Sequence, residues 1–92
     1  MKTAVFDFER IGTIGDFYKI ATTELNLPEY FGNNLDALWD SVTGEIELPV
    51  TIQFTNLTLS QLEQFDKLIV LFEDAAAELG DNLTFEYYLR KD

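Results

Sequence analysis

Three short stretches of extended-chain character, each divided from the next by helical periodicity, constrain this sequence more than any other feature. "TAVFDF" (Thr3–Phe8) is rich in β-branched and aromatic residues. "PVTIQFT" (Pro49–Thr55) alternates Val50, Ile52 and Phe54 with Thr51, Gln53 and Thr55. "LTFEYYLR" (Leu83–Arg90) alternates Leu83, Phe85, Tyr87 and Leu89 with Thr84, Glu86, Tyr88 and Arg90. Between the first two, Ile14, Phe17, Tyr18, Ala21 and Leu25 recur at helical spacing, and Leu35, Leu38, Trp39 and Val42 form a second stripe. Between the last two, Leu62, Phe65, Ile69, Phe72, Ala76 and Leu79 share one helical face up to Gly80. Strands joined through helices pair in parallel, with right-handed connections. The order β-α-α-β-α-β predicts an α/β fold, a three-stranded parallel sheet packed with three or four helices. A chain of 92 residues is expected to form a single domain over 1–92. The polar alternation on the last two strands predicts one partly covered sheet face.

The helix ends carry their own signals. Thr13 suits an N-cap, with Asp16 three residues on. Leu27-Pro28 stops that helix, because the residue before proline avoids the α region. Asn34 is the expected N-cap of a helix over Leu35–Thr43, and Gly44 its expected left-handed C′ residue. Ser60 with Glu63 reads as a capping box for the long helix, and Asp66 leaves open a break at which a new turn is capped.

Composition then removes whole classes of chemistry. The chain has no cysteine and no histidine. Disulfides, zinc fingers, thiol nucleophiles and the usual acid/base group near neutral pH are excluded, and no cofactor or metal is expected. Seventeen acids against six bases give a formal net charge of −11. Between Ile20 and Leu89 the only base is Lys67. Direct nucleic-acid binding and attraction to anionic membranes are therefore not expected, whereas a cationic protein surface is the natural partner. No window is long and apolar enough to span a bilayer, and no basic-then-apolar leader precedes the first strand. The expectation is a cytoplasmic protein, monomeric without its partner.

The helix at 35–43 holds the sharpest signal. Asp36 and Asp40 stand one turn apart beside Trp39, the only tryptophan. Like charges at i and i+4 repel, and Asp40 lies near the end that the helix dipole makes unfavourable to an anion. Taken alone, the pair reads sooner as a solvated face than as a functional one. Asp74 and Glu78 repeat the i, i+4 acid pair on the long helix, which points to a shared external cation. Tyr30 and Phe31 precede the first pair, as aromatics flank charged anchors at interfaces; a hydrophobic cover over the core is the alternative for both. Paired carboxylates that hydrolyse glycosides straddle a cleft, whereas Asp36 and Asp40 share one helix face. An enzyme is not expected.

The stretch "LPEYFGNNLDALWDSVTG" (Leu27–Gly44) closely resembles the signature of the barstar family, intracellular inhibitors of barnase-type ribonucleases. The resemblance covers the element order of essentially the whole chain. It implies a barstar-like fold and an inhibitor whose loop and helix at 30–45 plug a basic ribonuclease. It also implies that Asp40 occupies the pocket for the substrate phosphate, and that Asp36 and Asp74 meet further Arg and Lys side chains. The partner-binding set expected on these grounds is Tyr30, Asn34, Leu35, Asp36, Trp39, Asp40, Thr43, Gly44, Glu45, Asp74 and Glu78. Glu45 stands where the family pattern carries Trp, Asp74 where it carries Glu, and Phe31 where it carries Tyr. These departures motivate the alternative, a barstar-like interaction or immunity module for a different basic toxin or a regulatory partner.

Overall fold

The alternation along the strands sorts their side chains onto two unlike faces. The computed structural model describes residues 2–28 and 32–91. Its strands are β1 (Lys2–Asp7), β2 (Val50–Leu57) and β3 (Leu83–Leu89), in the spatial order β1-β2-β3 and parallel throughout. On one face Ala4, Phe6, Val50, Ile52, Phe54 and Leu83 are buried. Phe54, at the middle of the central strand, meets five other rings on that face. Phe8 and Phe85 lie 4.9 Å away, Phe72 5.5 Å, Phe6 5.6 Å and Phe17 5.7 Å. Offset and edge-to-face ring pairs add to plain burial.

The helices α1 (Ile14–Glu24), α2 (Leu35–Gly44) and α4 (Asp66–Leu79) supply Phe17, Leu38, Val42 and Phe72 to this same core, and α3 (Leu59–Gln64) packs half-buried Leu62 against it. A short 3-10 turn, Gly80–Asn82, leads into β3. The opposite face keeps Thr3, Val5, Thr84 and Tyr88 exposed and Thr51, Gln53, Thr55 and Glu86 half-buried. All-parallel sheets are usually covered on both faces and read as continuous apolar runs. This sheet is covered on one, as the alternation predicts.

Local chemistry fixes most helix ends. The Thr13 hydroxyl accepts the Asp16 N–H at 3.2 Å, and the Asp16 carboxylate accepts the N–H groups of Gly12 and Thr13 at 3.0 and 3.2 Å. These bonds, led by that from Gly12, hold the Asp16 carboxyl below the usual carboxylate range. The capping box of α3 differs from the expected one. Thr58 and Gln61 form it, not Ser60 and Glu63: the Thr58 hydroxyl accepts the Gln61 N–H at 3.1 Å, and the Gln61 side chain accepts the Thr58 N–H at 3.0 Å. Gln61 Nε2 also donates to the carbonyls of Phe8 and Ile11, each at 3.0 Å. That tie to the loop after β1 favours this register of the two overlapping boxes.

The long helix is broken, one residue earlier than Asp66. Phe65 ends α3 and precedes α4, with φ −109° and ψ 24°, and no side chain caps the new helix. Asp66 is its first residue, not its cap. Phe65 is buried and its ring lies 5.3 Å from that of Phe8, so core packing holds the break. The buried set of α4 becomes Leu68, Ile69, Leu71, Phe72 and Ala75, with Leu62, Ala76 and Leu79 only half-buried. Gly44 likewise departs from expectation. It is the last residue of α2 without a left-handed φ, and Glu45 is the C-cap at φ −124°. Gly80 does end α4 with φ +58°, where a side chain would be strained. Asn56, at φ +59°, sits in the β2 irregularity between Phe54 and Leu57, and its Nδ2 donates to Asp7 Oδ1 at 3.0 Å. That bond leads the causes that keep the Asp7 carboxyl low.

Two stability predictions follow from this architecture. Phe54→Ala should cost about 3–5 kcal/mol, read as a fall in the urea midpoint with little change in slope. Asp16→Asn should destabilise at neutral pH by a margin that narrows in acid. The folded pKa of Asp16 lies below its unfolded value of about 3.9, so its contribution is complete above that value. It is lost as pH falls through the folded pKa, and urea titrations of both proteins across this range should show convergence.

Candidate protein-binding face

The start of α2 is held by Asn34, as its type and position require. Asn34 Oδ1 accepts the Ala37 N–H at 2.8 Å, and its Nδ2 donates to the Gly32 carbonyl at 3.2 Å. Asn33 just before it adopts φ +51°, a conformation asparagine tolerates better than most residues. The cap and the left-handed residue together set the angle at which the chain enters α2.

Packing then fixes which way α2 faces. Leu38 and Val42 are fully buried, and Ser41, a polar residue, is 2% exposed beside them. At about 100° per residue, these three turn the buried face roughly 60° from the centre of the apolar stripe, towards Ser41. Asp36 and Asp40 thereby lie almost opposite the core, and both are exposed. Leu35 and Trp39 are half-buried at its border and pack on the core from there. Among the described residues no basic side chain comes within ion-pair distance of Asp36 or Asp40; the ion pair formed there is Arg90–Glu9 at 3.9 Å. The acids are exposed, and no basic side chain among the described residues neutralises them.

The C-terminal end of α2 is closed by bonds that the sequence did not announce. The Ser41 hydroxyl donates to Glu45 Oε1 at 3.1 Å, which satisfies the one buried polar side chain among the described residues. The Ser41 carbonyl accepts the N–H groups of Glu45 and Ile46 at 2.9 and 3.0 Å. The Thr43 hydroxyl donates to the Trp39 carbonyl at 2.7 Å. Thr43 and Glu45, expected at the interface, therefore also act inside the helix. Ser41 was missed, because its signal is only a Ser–Glu spacing of four that many surface helices share.

α2 packs against α4, on which Asp74 and Glu78 are both exposed. Neither has a basic residue within ion-pair distance among the described residues. Asn34, Gly44 and Glu45 are exposed around the ends of α2. Tyr30 and Phe31 lie outside the described residues. Those residues contain no group of three acids placed to hold a metal ion, and no helix is long and apolar enough to cross a membrane.

This surface presents carboxylates that accept hydrogen bonds and carry negative charge. Two comparisons with known proteins extend over most of the chain. A family model described as Barstar (barnase inhibitor) matches residues 1–90. A protein of Bacillus subtilis (strain 168), "Putative ribonuclease inhibitor YrdF", is 37% identical over 78 residues, covering 82% of each chain.

Loss of the α2 cap should be measurable apart from binding. Asn34→Ala should cost about 1 kcal/mol of stability, checked by chemical denaturation. Amide exchange should quicken first at Ala37 and its neighbours, before the core strands respond.

Proposed function

The chain belongs to the barstar family, and from that premise we propose that it is a protein inhibitor of a barnase-type ribonuclease, not an enzyme. The observation that carries this reading is the outward pair Asp36 and Asp40, without an ion-pair partner among the described residues and set opposite the buried face of a capped helix. A carboxylate accepts charge-assisted and often bidentate bonds from Arg, much as a phosphate does. Asp40 enters the cationic pocket that the nuclease builds for substrate phosphate and denies it to RNA. Asp36, Asp74 and Glu78 meet further basic side chains around that pocket. Asn34 and Leu35 hold the helix entry, and Trp39, Thr43, Gly44 and Tyr30 complete the contact surface. A net charge of −11 speeds encounter with a basic enzyme; the barnase–barstar pair is itself the established example of such steering. A cytoplasmic inhibitor of this kind protects the cell that makes the nuclease.

Glu45 favours a second reading. It places an exposed carboxylate, tied to Ser41, where the family pattern carries Trp. A basic toxin other than a barnase-type ribonuclease, or a regulatory protein, fits a rim with more charge and less aromatic area. Titration against a panel of basic ribonucleases separates the two, since failure to inhibit any of them supports this second partner class.

For the first reading, Asp40→Ala should weaken inhibition by at least ~2 kcal/mol, about thirtyfold, the hot-spot threshold for which barnase–barstar is a known example. Asp36→Ala and Asp74→Ala should cost less. An Asp40→Ala protein that inhibits as well as wild type would sink the phosphate-mimic mechanism. The association rate should also fall steeply between low and high salt while dissociation changes little, as stopped-flow mixing would record.

A further inference from the structure

The two edges of the sheet are finished differently. On β1, Glu24 of α1 reaches across the edge, and its Oε1 accepts the outward Val5 N–H at 3.2 Å. β3 forms the other edge. Among the described residues no side chain bonds to its outer backbone groups. Arg90 N–H points inward, to the Leu57 carbonyl at 2.8 Å. Alternation along the strand therefore turns the backbone groups of Tyr87 and Leu89 outward, and those of Glu86 and Tyr88 inward. Tyr87, Tyr88 and Leu89 are 45%, 50% and 49% exposed, three large apolar side chains in succession on an open edge. Natural edges are usually blunted by charge, proline or a covering element.

We propose that β3 pairs antiparallel with β3 of a second copy of this chain, joining two three-stranded sheets into one of six. A two-fold axis perpendicular to the sheet keeps the helices of both copies on one side, and it requires a residue to face its own counterpart. Centred on Glu86, the pairing would oppose two carboxylates, which is destabilising. Centred on Tyr88, it matches the strand to itself. Tyr88 faces Tyr88 of the second copy, Tyr87 faces Leu89, and Glu86 faces Arg90. The outward groups of Tyr87 and Leu89 then exchange main-chain hydrogen bonds with those of the second copy. The Tyr88 pair occupies a position without such bonds, where side chains approach most closely. Arg90 is available for this exchange, because its contact with Glu9 is long and both side chains are well exposed. A basic strand from another protein is the competing occupant, but β3 carries both charges needed to complement itself. The net charge of −11 opposes dimerisation at low salt, so the dimer gains as salt rises, opposite to the trend for a basic partner.

The absence of cysteine makes the test direct. Tyr88→Cys should oxidise in air to a covalent dimer, whereas Val70→Cys, equally exposed on α4, should not. Sedimentation of the wild-type chain should show its mass rising towards double as protein concentration and salt increase. Glu86→Lys, which sets Lys opposite Arg90, should weaken association about tenfold, and adding Arg90→Glu should restore it. A wild-type chain that stays monomeric throughout would overturn the proposal. So would equal cross-linking of the two cysteine variants, or undiminished association of Glu86→Lys.

Discussion

Phe54 is the side chain on which the arrangement of this molecule depends. It stands at the centre of the middle strand and touches rings from β1 and the residue after it, α1, α4 and β3. Since the helices cover only one sheet face, no second core shares the task. Phe17 and Phe72 are the points at which α1 and α4 engage this cluster. α2 follows less directly, through Leu38, Val42 and its packing against α4. The orientation of the acidic surface is therefore inherited from an aromatic cluster to which α2 contributes no phenylalanine.

Within α2, polar bonding takes over from hydrophobic burial at both ends. Asn34 closes the amino end, and Ser41 with Glu45 closes the carboxyl end, so ten residues are held in register by bonds made on either side of the exposed acids. Such preorganisation matters for a binding surface, because side chains already fixed lose less freedom on association. It also offsets what the helix loses by carrying Asp36 and Asp40 one turn apart.

What the sequence made legible was decided locally. The strands follow from alternation within seven or eight residues, and Thr13 and Asn34 cap because each bonds a backbone group three residues on. The outward placement of Asp36 and Asp40 was legible because Leu35, Leu38 and Val42 define a stripe. The failures were set by distant residues. Phe65 breaks the long helix because of Phe8, and Thr58 beats Ser60 as cap because Gln61 also reaches the Phe8 and Ile11 carbonyls. The burial of Ser41, and with it the rotation of α2, depends on how the helix leans into the core. No window of sequence contains that angle.

The near-opposition of acids and core on α2 has a consequence for divergence. Positions 36 and 40 touch nothing that folding needs, so their side chains can be exchanged without disturbing Leu38 or Val42. Replacing Asp40 would relieve repulsion and remove an anion near the carboxyl end of the helix, whereas Asp36 sits in the first turn, where the dipole favours it. Under the proposed function, the demands of a partner hold Asp40 in place. Glu45 is different, because a change there also unties Ser41 from the buried side of the helix. A lineage that retargets this scaffold can thus alter the acid pair freely, but must change the rim at 45 together with the residue beneath it.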